Sequence, residues 1–103
     1  MTTGRFARAE ELARAGRYGD AAIAVEQVAA EDVSLLADAA WMCERAGEAA
    51  RAAGDRDAAI ALYELARRGK QIEASWATGA GEGMAGMAEV ERLGGVLAAL
   101  RRG

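Results

Sequence analysis

Alanine occupies 28 of the 103 positions in this chain, and proline occupies none. Alanine has the highest intrinsic helix propensity, whereas proline interrupts helices more strongly than any other residue. Val, Ile, Tyr, Phe and Trp nowhere alternate with polar residues over a useful length, as they would in a half-buried strand. The sequence therefore predicts an all-α fold, and the length favours a single domain over 1–103.

The apolar side chains other than alanine are few. Of the 54 apolar residues only 26 are not alanine, and five of these are aromatic. A core built largely from small side chains suits closely spaced helices better than a bulky central core. We therefore expect helices in close contact and a modest stability for the isolated chain.

Clusters of glycine and aspartate mark the predicted helix boundaries. They divide the chain into about six helices, over 4–15, 20–30, 34–53, 57–68, 71–83 and 86–101. Asp20, Asp32 or Ser34, and Asp57 are the candidate N-caps. The segment 78–87 contains four glycines. Because each costs a helix about 0.8–1 kcal/mol relative to alanine, this segment is either a loop or a helix whose packing requires glycine.

The chain contains an internal repeat. The sequence Asp-Ala-Ala-Ile-Ala begins at Asp20 and again at Asp57, a separation of 37 residues. A glycine precedes each copy, at Gly16 and Gly54. A period of 34–40 residues with two helices per unit is typical of helical solenoids.

The segment 41–66 carries a set of small, turn and aromatic residues, namely Ala46-Gly47, Gly54-Asp55, Ala59, Tyr63 and Ala66. Together with the turn Gly16-Arg17-Tyr18, they resemble the tetratricopeptide repeat. The resemblance implies a short right-handed α-solenoid of about three helix-turn-helix units. The family's terminal proline is absent, and the spacing is 37 rather than 34. An irregular helical bundle is the alternative fold.

One helix stripe is the candidate partner-binding surface: Trp41, Glu44, Arg45, Glu48 and Arg51. These residues recur at helical spacing on the side opposite the small residues Ala46, Gly47 and Ala50. In the tetratricopeptide family the first helix of each unit presents such a stripe to a concave groove that binds peptides. The alternative is an ordinary solvent-exposed helix face with Trp41 partly buried.

A second stripe lies near the C-terminus, formed by Val90, Leu93, Val96 or Leu97, and Leu100. It is either a capping helix that covers the last unit or, if it is left uncovered, a self-association surface.

The composition excludes several kinds of site. The chain has no histidine and only one cysteine, Cys43, so a Ser–His triad, a Cys–His dyad and a His-based metal site are ruled out. We expect no catalytic residue, metal or cofactor, and a buried Cys43. Gly81-x-Gly83-x-x-Gly86 matches a dinucleotide-binding pattern, but that pattern requires a preceding strand. Helix packing or a loop is the expected role of these glycines.

The sequence favours a non-catalytic protein–protein interaction module whose partner is a protein, a peptide or a second copy. The alternative is a small helical subunit whose main role is homo-oligomerisation. The formal charge of −3 argues against nucleic acid as a partner. No apolar run has the length of a signal peptide core or a membrane span, which predicts a cytoplasmic protein. Twelve of the thirteen basic residues are arginine, which suggests a bacterial source.

Overall fold

The computed structural model describes residues 4–76 and 80–102, with the backbone alone described at 80–85. These residues form five α-helices and contain no strand: α1 (Gly4–Arg14), α2 (Tyr18–Glu31), α3 (Leu36–Ala52), α4 (Arg56–Ser75) and α5 (Ala80–Arg102). A single 3₁₀ turn, Val33–Leu35, joins α2 to α3. The predicted all-α class is confirmed. No helix in this part of the chain is both long and apolar enough to cross a bilayer.

Each helix packs mainly on its neighbours in the chain. The contacts between α3 and α4 are the most extensive, followed by those between α4 and α5 and those between α1 and α2. α2 also packs on α4, and α1 touches α3. α4 therefore lies between α3 and α5 and is the central helix of the fold.

The two turns that precede α2 and α4 have the same backbone conformation. Gly16 and Gly54 have φ values of 80° and 83°, in the left-handed region that glycine adopts without a steric penalty. The residue after each glycine donates its N–H to the carbonyl oxygen five residues earlier, from Arg17 to Leu12 and from Asp55 to Ala50, each at 2.9 Å. This pattern ends a helix by the Schellman motif, and it recurs 38 residues along the chain.

The N-caps differ from two of the three predicted ones. Asp55, not Asp57, caps α4 by accepting a hydrogen bond from the Ala58 N–H at 3.2 Å. α2 begins at Tyr18, so Asp20 lies within its first turn. In both cases the helix begins two residues after the left-handed glycine, which is earlier than predicted. Asp32 is a cap, since its carboxylate accepts from the Ser34 N–H at 3.0 Å, but it caps the 3₁₀ turn Val33–Leu35 that precedes α3 rather than α3 itself.

The predicted helix break at Gly69 is wrong. α4 continues through this residue, so the predicted helix 57–68 and the start of 71–83 form one helix of 20 residues. Gly69 is buried where α4 crosses α3. A Cβ atom at this position would overlap the Leu36 carbonyl oxygen and lie 2.9 Å from the Ala40 Cβ. Here glycine provides a close approach between two helices.

The glycine-rich segment is helical from Ala80 onward, while Thr78 and Gly79 lie outside the described residues. Gly81, Gly83 and Gly86 belong to α5. A Cβ atom on Gly86 would lie 2.7 Å from the Ala74 Cβ on α4. Tertiary packing therefore requires glycine at this position at least.

The core consists mostly of small side chains, as the composition predicts. Its largest fully buried members are Leu36, Leu62, Leu93, Leu97, Val25 and Cys43. Ala46, Gly47 and Ala50 are all buried, and a Cβ atom on Gly47 would lie 3.2 Å from the Tyr63 ring of α4. The predicted small-residue packing face of α3 is confirmed.

The C-terminal stripe is part of this core. Val90, Leu93, Leu97 and Leu100 are all buried, and Val96 is partly buried. In this chain the stripe therefore covers α4, as the capping alternative predicted.

Arginine side chains attach α5 to α4. Arg56 donates to the carbonyl oxygens of Leu100 and Arg101 at 2.6 Å each, which satisfies two groups at the C-terminus of α5. Arg67 donates to the Val90 carbonyl oxygen at 3.3 Å, farther toward the start of the helix. Arg101 pairs with Glu64 at 2.8 Å. These bonds set how α5 lies along α4.

We expect Cys43 to be unreactive in the folded protein. Its side chain is fully buried, and burial raises the pKa of the thiol to about 12. At pH 8 this shift lowers the thiolate fraction about 1,000-fold relative to an exposed cysteine, and burial also blocks access. Labelling with a thiol reagent should be slow in native buffer and fast in guanidinium chloride. Rapid labelling of the native protein would show that Cys43 is exposed.

Candidate partner-binding groove

Trp41 and Arg45 form the most conspicuous surface feature of the described residues. Both lie on the outer side of α3, one helical turn apart. Trp41 is 65% exposed, the highest value among the large exposed apolar residues. The Arg45 guanidinium carbon lies 4.7 Å from the centre of the Trp41 ring, which is cation–π distance. The contact presents an aromatic and a cationic group together.

Trp41 lies at the edge of a groove between α1 and α3. We call it the Trp41 groove, with a volume of about 460 Å³ and a lining of Glu10, Ala13, Arg14, Trp41, Met42, Arg45, Ala46 and Ala49. The alanines contribute apolar surface to its lining. Charged side chains stand on both walls. This combination can hold an apolar side chain of a partner between polar groups.

The α1 wall could not be found from the stripe on α3 alone. Glu10 and Arg14 form an i,i+4 ion pair at 3.6 Å, a spacing that the sequence does show. Sequence reasoning assigns such a pair to helix stability. Only the packing of α1 beside α3 adds these two side chains to the site.

Glu44 is directed away from the groove, toward α5. Both of its carboxylate oxygens accept from Arg92 at 2.9 Å, and the Glu44 side chain is only 16% exposed. Arg92 also donates to Glu89 at 2.8 Å, and this hydrogen bond lowers the pKa of Glu89. Glu44 therefore joins α3 to α5 across the fold.

Glu48 and Arg51 lie near Tyr63 of α4. Burial raises the pKa of the Tyr63 hydroxyl, the negative charge of Glu48 adds to the shift, and Arg51 opposes it through its charge and a hydrogen bond. Both Glu48 and Arg51 are exposed. The five predicted site residues thus separate into two groups. Trp41 and Arg45 line the groove, whereas Glu44, Glu48 and Arg51 face α4 and α5.

A second groove lies between α2 and α4, with a volume of about 410 Å³ and a lining of Glu26, Ala29, Ala30, Ala61, Glu64, Leu65 and Arg68. It has no aromatic side chain, and its Glu64 is already paired with Arg101. Aromatic residues and arginine are enriched where proteins bind one another. The Trp41 groove is therefore the better candidate.

The pattern Gly81-x-Gly83-x-x-Gly86 does not have the context that nucleotide binding requires. All three glycines lie within α5, and no strand precedes them in the described part of the chain. No group of three or more His, Cys, Asp or Glu side chains among the described residues is arranged to hold a metal ion.

Comparison with known proteins yields no relative: no family model, no curated protein and no solved structure matches this chain.

Proposed function

We propose that this chain is a non-catalytic protein–protein interaction module that binds a helix or peptide in the Trp41 groove. The observation that carries the proposal is a tryptophan left 65% exposed at the edge of an apolar groove, beside an unburied arginine. Exposing such a large aromatic side chain to water is unfavourable. A partner that covers it recovers that free energy.

We further propose that the helices form a short right-handed solenoid similar to tetratricopeptide repeats. The contacts between chain neighbours, the packing of α2 on α4 and the repeated turns at Gly16 and Gly54 support this arrangement. In such a solenoid the first helices of successive units, α1 and α3, line one face. The Trp41 groove lies between these two helices.

The proposed setting is the cytoplasm of a bacterium. The chain has a single cysteine and so no internal disulfide, and arginine supplies twelve of its thirteen basic residues. Both features are compatible with a reducing compartment and a GC-rich genome.

Trp41→Ala should weaken partner binding strongly without unfolding the protein. Because the ring is largely exposed, the free energy of unfolding should change by about 0.5 kcal/mol or less. Loss of a central interface tryptophan typically costs about 2 kcal/mol or more, which is a roughly 30-fold loss of affinity. The measurement is affinity capture from a cell lysate, followed by titration of the captured protein against each variant.

Trp76→Ala is the matched control. Trp76 is 55% exposed, similar to Trp41, but it follows the end of α4 and is not part of the groove. A partner retained by wild type and Trp76→Ala but lost by Trp41→Ala supports the proposal. A partner bound equally by all three proteins would contradict it, and a loss of helicity in Trp41→Ala would make this residue part of the core.

A further inference from the structure

The outer face of α2 is acidic and partly apolar. Residues 18–44 contain six acidic residues and no lysine or arginine. On α2 the side chains of Asp20, Glu26 and Glu31 are exposed, and Ile23 among them is 54% exposed. We call these four residues the α2 outer face; its Glu26 also lines the groove between α2 and α4. Exposed isoleucine beside carboxylates is a surface that an apolar groove with an available cation would accept.

Local ion pairs leave this face able to bind. Arg17 pairs with Asp20 at 2.7 Å and Arg5 with Glu31 at 3.8 Å, but both pairs are exposed, and exposed pairs contribute little free energy. Glu26 forms no ion pair with any residue that the structure describes. At least one carboxylate of the face is therefore available.

The Trp41 groove has the complementary chemistry. Its apolar part is Trp41, Met42 and the alanines of its lining, and its charged groups are Arg14, Arg45 and Glu10, which pairs with Arg14 at 3.6 Å. The Arg14 side chain is 77% exposed. Arg45 contacts the Trp41 ring and forms no ion pair with the described residues. Glu44, the acidic neighbour on α3, is held by Arg92, so Arg45 is the cation that the groove offers to a carboxylate.

We propose that the Trp41 groove binds the α2 outer face of a second copy of this chain. Ile23 would cover the Trp41 ring, and Glu26, one turn along the same helix face, would pair with Arg45. This inference rests on the proposed function, because it names the partner of the same groove. The lining of the groove comes from α1 and α3 and includes no residue of the α2 outer face. Each copy therefore has one groove and one separate α2 face.

An interface between two different surfaces is head-to-tail. Copies joined in this way extend into longer chains unless the rotation between them closes a ring. The mass of the wild-type protein should therefore rise with concentration from the 10.7 kDa of one copy to values beyond a dimer. High salt should reduce the effect, because it screens the exposed carboxylate–arginine pairs. Light scattering coupled to size exclusion at low and high salt measures both effects.

Two variants test the two surfaces separately. Trp41→Ala alters the groove, and Ile23→Arg places a cation on the α2 outer face. Each variant alone should associate at least about tenfold more weakly than wild type. An equimolar mixture should form a dimer that does not grow, since one variant retains the face and the other retains the groove. Met87→Arg is the control, because Met87 is 52% exposed on α5, remote from both surfaces in sequence.

Three results would overturn the inference, provided that circular dichroism shows each variant to be folded. They are a wild-type protein that stays monomeric at every concentration, variants that assemble as wild type does, and a mixture that does not pair. The proposed function is judged separately. If wild type is monomeric but captures another protein that Trp41→Ala does not bind, the groove is a binding site for that protein and the self-association inference alone fails.

Discussion

Gly69→Ala should destabilise the protein by about 2 kcal/mol, because a clash with backbone puts the cost of overpacking near the upper end of about 1–3 kcal/mol and the added helix propensity returns only about 1 kcal/mol. The new methyl group would overlap the Leu36 carbonyl oxygen and approach the Ala40 Cβ to 2.9 Å. A backbone carbonyl cannot move aside as a flexible side chain can. α3 and α4 would have to separate along their extensive contact.

The matched control is Gly95→Ala. Gly95 also lies inside a helix, but a Cβ atom there would meet no atom within 4 Å. This substitution makes the same chemical change without the clash, so it should stabilise the protein by about 0.5–1 kcal/mol. Urea unfolding monitored by helix circular dichroism measures both variants. If Gly69→Ala proved as stable as Gly95→Ala, the result would contradict the close approach of α3 and α4 at Gly69.

Leu93→Ala should lower the free energy of unfolding by about 2–5 kcal/mol. Leu93 is fully buried in the core that α5 shares with α4. Shortening it removes apolar contacts and leaves a cavity, because the surrounding helices can close only part of the space. The same unfolding experiment would show this loss as a lower transition midpoint.

Met87→Ala separates core packing from surface effects on the same helix. Met87 is 52% exposed, so its truncation should change the free energy of unfolding by about 0.5 kcal/mol. If Leu93→Ala instead altered the oligomeric state and left the stability of the monomer unchanged, the C-terminal stripe would be an association surface. The sequence alone is compatible with that alternative, and the burial of Leu93 argues against it.

Sequence reasoning was most successful where one helix determines its own pattern. The small face Ala46, Gly47 and Ala50 follows from the period of an α-helix, which is a local property. The left-handed turn glycines are local as well, since glycine is the residue that adopts positive φ readily. The predicted N-caps Asp20 and Asp57 are wrong because the first residue of each helix depends on the hydrogen bonds of the turn before it, and such boundaries are hard to place to within one or two residues.

Only part of the candidate site could be predicted, because a helical pattern shows local neighbours and not contacts with distant helices. Trp41 and Arg45 are one turn apart on α3, and their proximity follows from the helix itself. Glu44 shares their stripe in the sequence, but its partner Arg92 lies 48 residues away. A helical projection cannot show which side chains a distant helix will engage.

By itself, the sequence determined that the described chain is helical, where two of its turns lie and which helix faces are apolar. These are consequences of intrinsic propensity and of the helical period, which act within a few residues. The tertiary structure alone decided that Gly69 lies inside a helix and that α1 supplies the second wall of the Trp41 groove. Both depend on how closely two helices pack against each other. The free energy of that packing depends on atoms that are distant in the sequence, so the sequence pattern of one helix does not show it.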